Sequence, residues 1–187
     1  KKLSNKIIFF KKSISNEKFL KKIFKDYSIN KVIHLAAIVG EPACNKDPEY
    51  SYLINYNASK KIFDLCVKYN VKQFIFVSTC SNYGKNKKSF VSETSKLQPL
   101  SPYSHAKVNF EKYLLKNKKK IEKISMLRLA TVFGMSFRPR FDLTINEFVR
   151  DIYYNRKLEV YGENFWRPYV HVLDIANFIT ALLKKSK

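Results

Sequence analysis

At 187 residues, 45% of them hydrophobic, the chain is long enough for one domain with a sizeable core and has the composition of an ordinary globular protein. No apolar run approaches the ~18 residues of a membrane span, nothing near Lys1 reads as a signal peptide, and Cys44, Cys66 and Cys80 form neither a disulfide framework nor a zinc motif, so a reducing, cytoplasmic compartment is the expectation. The formal charge of +21 comes overwhelmingly from lysines spread along the chain, which reads as a bias of surface positions and not as a specific nucleic-acid or membrane face.

The first predicted element is a strand over Lys6–Lys11, built on Ile7-Ile8-Phe9-Phe10. A polar turn follows, and Asn16 is placed to cap a helix over 17–27, where Phe19, Leu20, Ile23, Phe24 and Tyr27 recur at helical spacing. Lys31 to Ala37 reads as a short buried strand of the near-continuous apolar kind found in parallel sheets. A loop is expected over 38–47. Pro48 then opens a long helix to about Tyr69. Val71 to Ser78 is the next strand, with Phe74-Ile75-Phe76-Val77 at its centre. A polar loop from Thr79 to Ser101 leads to a helix beginning near Tyr103 and running to about Lys119. Ile124 to Leu129 is another strand, followed by Ala130-Thr131-Val132-Phe133-Gly134. Beyond it come a basic loop (Phe137-Arg138-Pro139-Arg140), a helix over about 144–155, a short strand over Leu158–Tyr161, a turn from Gly162 to Pro168, an extended piece Tyr169–His171, and a last helix over 174–184 capped by Asp174.

Strands alternating with helices through residue 129 predict an α/β fold, a doubly wound parallel sheet of Rossmann type. In such folds a ligand lies beyond the carboxyl ends of the strands. Ala36-Ala37, Ser78-Thr79 and Ala130-Thr131 each fall at such an end. Small residues let a flat ligand approach the backbone, and hydroxyls can point at it. Tyr103 and Lys107 are i and i+4 on one predicted helix, so both side chains lie on one face. A neighbouring ammonium favours the phenolate and lowers a tyrosine from its reference near ~10, making it fit to exchange a proton with an alcohol or a carbonyl. Thr79 would hold the same oxygen through its hydroxyl. His34 and His171 read as core histidines, and nothing marks Cys80 as an activated thiolate.

Six stretches then carry a resemblance: His34-Leu35-Ala36-Ala37, Asn55-Tyr56-Asn57, Val77-Ser78-Thr79-Cys80-Ser81-Asn82-Tyr83-Gly84, Pro102-Tyr103-Ser104-His105-Ala106-Lys107, Arg128-Leu129-Ala130-Thr131-Val132-Phe133-Gly134 and Arg167-Pro168-Tyr169-Val170-His171-Val172-Leu173-Asp174. In order and spacing the chain resembles the extended short-chain dehydrogenases/reductases, and among them the NAD-dependent epimerase/dehydratase family of nucleotide-sugar enzymes. The resemblance implies that Thr79, Tyr103 and Lys107 are the catalytic set, with Tyr103 as acid/base and Lys107 also binding the nicotinamide ribose. It implies that Leu35, Ala36 and Ala37 lie along the dinucleotide and that Asn55, Ser78, Leu129 and Val132 sit near it. Arg167 matches an arginine that meets the nucleotide-sugar phosphates, a task suited to a guanidinium fork. The implied cofactor is NAD, with NADP left open. The implied partner is a nucleotide sugar, and the complete protein is implied to be a homodimer.

Departures from the family pattern shape further expectations. The glycines are Gly40, Gly84, Gly134 and Gly162, none of them in the glycine-rich turn that follows the family's first strand. Lys6–Lys11 matches the family's third strand. Residues 1–134 are then expected to be an incomplete NAD(P)-binding domain lacking two strands, and 135–187 the start of the substrate region with returning Rossmann elements. Either the 6–11 strand stands apart from Val32–Leu35 by three inter-strand steps, roughly 14 Å, or it collapses onto it. Binding of NAD by these residues alone is expected to be weak. Ser13 stands where the family usually has an Asp near the adenine. Cys80 and Ser81 stand where sugar 4,6-dehydratases carry an acidic pair after the catalytic Thr. The reaction implied is therefore an epimerisation through a transient keto sugar, or a keto-sugar reduction, with dehydration disfavoured; a non-catalytic dinucleotide-binding relative is the alternative.

Overall fold

The computed structural model describes residues 7–85 and 90–184. The chain forms two compact units, Lys1–Leu127 and Arg128–Lys187.

In the first unit, helix α1 (Glu17–Asp26) starts where expected, because the Asn16 side chain accepts from the Phe19 amide at 3.0 Å. Glu17 sits in the first turn and Lys25 in the last, both favourable to the helix dipole. Strand β1 (Lys31–His34) pairs in parallel with β2 (Gln73–Thr79), with Lys31 opposite Gln73 and His34 opposite Phe76. Strand β3 (Lys123–Leu129) neighbours β2 on its other side, giving the order β1-β2-β3. Two short helices, α2 (Glu41–Lys46) and α3 (Pro48–Tyr52), lead through a π-helical turn (Leu53–Ala58) into α4 (Ser59–Lys68). Helix α5 (Pro102–Lys116) packs against β2 and against the 3₁₀ turn that follows it, Cys80–Tyr83.

The core of this unit is aromatic. Phe74 and Phe76 are two residues apart on β2, so both face the same side of the sheet. There they meet Phe63 of α4 and Phe110 of α5, edge to face, with ring centroids 5.4 Å apart for Phe63–Phe74 and 4.7 Å for Phe76–Phe110. All four rings are fully buried, and Phe24, Ile62, Leu65, Cys66, Val71, Leu114 and Ile121 belong to the same cluster.

In the second unit, β4 (Thr131–Phe133) pairs in parallel with β5 (Tyr169–His171), Val132 opposite Val170. Helix α6 (Thr144–Asn155) ends at Arg156, which takes the left-handed conformation. Helix α7 (Val172–Lys184) follows β5 directly. Gly134 follows β4 at φ 117°, and a Cβ there would lie 2.6 Å from the His171 imidazole; only glycine fits.

The α/β class and the parallel pairing match the expectation. Several elements do not. The expected strand over Lys6–Lys11 is no strand across 7–11, and Lys6 lies outside the described residues. A strand exists through its ladder, and residues 7–11 join none: among the described residues the sheet begins with β1, and 7–11 do not pair onto Val32–Leu35. Phe10 instead packs on Phe19 and Tyr27. Strand β1 stops at His34, short of Leu35–Ala37. The 38–47 loop contains α2, whose short Glu-Pro-Ala-Cys-Asn-Lys run shows no apolar period. The segment Leu158–Tyr161 is not a strand, and Thr131–Phe133 is one.

Candidate active site

The N-terminus of α5 is fixed by a reciprocal cap. The Ser101 hydroxyl accepts from the Ser104 amide at 3.3 Å, while the Ser104 hydroxyl accepts from the Ser101 amide at 3.1 Å. Pro102 takes the first helical position, where a missing N–H costs nothing. Tyr103 is thereby held, half-buried, in the first turn of α5. One turn on, Lys107 is 2% exposed, and one turn beyond that Glu111 is 1% exposed. Tyr103, Lys107 and Glu111 form one stripe along the helix.

Lys107 lies in a tight setting. Its Nζ donates to the Val77 carbonyl at 2.9 Å. It also lies 4.6 Å from the centroid of the Phe76 ring and 5.6 Å from that of Tyr103. Burial pushes the ammonium down to about 8, opposed by the negative charge of Glu111. Thr79 ends β2 two residues after Val77. Its hydroxyl accepts from the Ser81 amide at 3.1 Å and donates to the Ser81 hydroxyl at 3.2 Å. This fixes the turn that starts at Cys80. Burial raises the Cys80 thiol above its ordinary value, the opposite of an activated thiolate.

Beneath Thr79 lies a closed polar triangle. The Ser78 hydroxyl donates to Glu111 Oε1 at 2.5 Å, and the Asn82 amide donates to the same oxygen at 2.9 Å and to Ser78 Oγ at 3.0 Å. All three residues are buried.

The sequence matches the NAD-dependent epimerase/dehydratase family over residues 1–187. The chain belongs to that family. It is 32% identical over 186 residues to a UDP-glucuronate 4-epimerase of Thermodesulfobacterium geofontis, covering 98% of this chain and 57% of the relative. A UDP-glucose 4-epimerase of Thermotoga maritima, solved with UDP-glucose, superposes with a TM-score of 0.86 at 28% identity, over 97% of this chain and 60% of that one. A UDP-glucuronic acid 4-epimerase of Bacillus cereus, solved with UDP-glucuronic acid and NAD, gives a TM-score of 0.84 at 29% identity, over 99% of this chain and 58% of that one. The chain thus spans somewhat over half the length of these relatives.

An epimerase/dehydratase family member uses NAD, and the residues at this site suit a dinucleotide. Leu35 and Ala36 are exposed just past β1, and Ala37 is half-buried, leaving a low apolar ledge. Lys107 carries three donors; among the described residues the Val77 carbonyl accepts one, which leaves donors for vicinal hydroxyls. Asn55 shapes the ledge from below. It lies on the π-helical turn, fully buried, with its side-chain oxygen accepting from the Ile38 amide at 2.9 Å and its NH₂ donating to the Ile38 carbonyl at 3.0 Å. Single-turn π segments often occur at functional sites, and here the wider turn carries the residue that pins the loop after β1. Ser78 likewise turns its hydroxyl inward, to Glu111 and Asn82. Ser13 forms a local turn, its Oγ accepting from the Ser15 amide at 3.2 Å.

His34 is buried, with Nε2 2.7 Å from the Ser59 hydroxyl, and burial, aided by the Lys107 charge, pushes it down to about 4. It is a neutral core histidine at physiological pH. Leu129, Val132 and Arg167 belong to the second unit. Leu129 ends β3 and Val132 is central in β4, both half-buried, and Arg167 is exposed two residues before β5. His171 packs its ring on Phe133 at 5.3 Å and accepts from the Leu173 amide through Nδ1 at 3.3 Å.

The sequence reading overlooked Glu111, Asn82 and the Val77 carbonyl. Glu111 had a legible signal, the continuation of Tyr103 and Lys107 by a further four residues. Asn82 and Val77 had none, since their roles come from what α5 lays against them.

Proposed function

We propose that the protein carrying this chain is a UDP-sugar 4-epimerase that uses NAD and acts through Thr79, Tyr103 and Lys107. The observation that carries the reading is Lys107: a nearly fully buried ammonium, fastened to the Val77 carbonyl and set beside the Tyr103 ring. A structural role alone does not call for a buried cation, because desolvating it is costly. Beside a phenol it favours the phenolate. Tyr103 takes the proton from a sugar hydroxyl as that carbon is oxidised and returns it to the same oxygen once the ketone has turned over. The Thr79 hydroxyl holds this oxygen at the end of β2. The cofactor, when bound, supplies the reversible two-electron oxidation of the carbon. The Ala36–Ala37 ledge and Lys107 orient it, and Arg167 binds the substrate diphosphate. Cys80 and Ser81 offer no carboxylate for elimination, and the half-buried Cys80 thiol, raised above its ordinary value, is no substitute, which supports epimerisation over dehydration. The free thiols of Cys44, Cys66 and Cys80 support a cytoplasmic setting.

The test is incubation of the full-length protein with UDP-glucose and with UDP-glucuronate, followed by proton NMR and by absorbance at the reduced-nicotinamide band. Appearance of the C4 epimer with no net change in cofactor is expected. Net oxidation of NADH or NADPH when a UDP-4-keto sugar is supplied, with no C4 epimer formed from UDP-glucose or UDP-glucuronate, would replace the epimerase with a keto-sugar reductase. Binding with no turnover of any nucleotide sugar would leave a dinucleotide-binding relative.

A further inference from the structure

We propose that Glu111 is a positioning residue for the site, fastening the end of β2 and the turn behind it to the face of α5 that carries Tyr103 and Lys107. The inference rests on the epimerase reading and extends it to a residue that touches neither substrate nor cofactor.

Ser78 and Asn82 flank Thr79, one residue before it and three after. Both donate to the same Glu111 oxygen, at 2.5 and 2.9 Å, and Asn82 also donates to Ser78 Oγ at 3.0 Å. A single carboxylate oxygen on α5 therefore sets where the strand end and the 3₁₀ turn sit relative to the helix, and with them Thr79. The Asn82 amide shows what this arrangement requires. Among the described residues its buried side-chain oxygen has no hydrogen-bond partner. Flipping the amide would bring that oxygen against Glu111 Oε1, two acceptors face to face. An unsatisfied buried carbonyl is costly, so the fold accepts that cost to keep the NH₂ on Glu111. A carboxylate in this place also lies one turn from Lys107 on the same face, where its charge opposes the desolvation of the ammonium.

The ionisable groups that act on Lys107 are Glu111 and Tyr103 on α5 and His34 on β1. His34 is held neutral near pH 7, whereas the charge of Glu111 favours the ammonium, as a Tyr103 phenolate would also do. Removing that charge while keeping the shape should lower the titration midpoint of Lys107.

The experiment is Glu111→Gln in the full-length protein. The Lys107 side chain is followed by carbon NMR of ¹³C-lysine-labelled protein, with Lys107→Met identifying its signal. The midpoint is expected to fall by about one pH unit, and kcat to fall at least about tenfold with KM little changed, as for an interaction realised in the transition state. The alkaline limb of kcat is expected to move down by the same amount as the midpoint. A midpoint and an alkaline limb at their wild-type positions would overturn the proposal, however much activity is lost. A shifted midpoint in a protein that epimerises no nucleotide sugar would preserve the coupling of Glu111 to Lys107 and remove the epimerase assignment instead. Should Glu111→Gln be too unstable to titrate, the same change is made in a Lys107→Met background. A smaller drop in Tm there than in the wild-type background supports the coupling, and an equal drop overturns it.

Discussion

The Lys107 ammonium donates to the Val77 carbonyl across 2.9 Å, joining the helix face that bears Tyr103 to the strand that ends in Thr79. One hydrogen bond thereby links the helix that carries Tyr103 to the strand that carries Thr79. It runs from a charged donor to a backbone acceptor, and bonds of that kind are stronger than neutral ones.

The cost of burying that charge has a pH signature. Lys107 is held at about 8, below its ordinary 10.5, chiefly by burial. Between those values the unfolded chain binds more protons than the folded one, so stability rises with pH across the window. The stabilising contribution is complete above 10.5 and is lost as pH falls to about 8. Chemical denaturation of wild type and Lys107→Met at pH 7.5 and 10.5 should show the wild type gaining on the variant by about 3 kcal/mol. A constant difference between them would contradict the burial of the charge.

Tyr103→Phe removes the phenol oxygen and keeps the ring beside Lys107. In the full-length protein kcat should fall by roughly 10²–10⁴, the usual range for a lost general acid or base, with the melting temperature unchanged. Retention of more than half the activity would exclude Tyr103 as the proton carrier.

His34 carries the same sign of linkage in a more acidic window. Burial and the Lys107 charge hold it at about 4 against an ordinary 6.5. The folded state again binds fewer protons inside the window, so the stabilisation is present above 6.5 and drains away as pH falls to about 4. Stability measured across that range should drop by about 3 kcal/mol from this group. In His34→Gln that portion of the slope should vanish, and a slope equal to the wild type's would show the imidazole to be solvated.

Phe110 touches Phe76, Phe74 and His34 at ring-centroid distances of 4.7, 6.3 and 6.0 Å and is fully buried. Phe110→Ala should cost about 3–5 kcal/mol in urea unfolding, the usual toll of an aromatic removed from a core. A loss below about 1 kcal/mol would mean that α5 is not seated on β2 through this ring.

The helix start at Asn16, the helix beginning near Tyr103, the strands around Val32 and Phe74–Val77, and the Tyr103–Lys107 face were legible in the sequence, but the Ser101 cap was not. Capping, apolar periodicity and i, i+4 spacing are local properties, decided within a few residues. What Ile7–Phe10 would do was not legible. Its composition is that of a strand, but a strand is stabilised by a neighbour's backbone, and sequence pattern does not report whether the neighbour is there. The pairing of Thr131–Phe133 with Tyr169–His171 was hidden for the same reason, since it joins residues almost forty positions apart. Thr79, Tyr103 and Lys107 could be picked as candidates from motif and spacing. The triangle of Ser78, Asn82 and Glu111 beneath it, the Val77 carbonyl under Lys107 and the inward turn of Asn55 could not. Those depend on α5 being laid against β2 and on the π-helical turn facing the loop after β1, and contacts between distant segments arise only when the core of Phe63, Phe74, Phe76 and Phe110 brings them together.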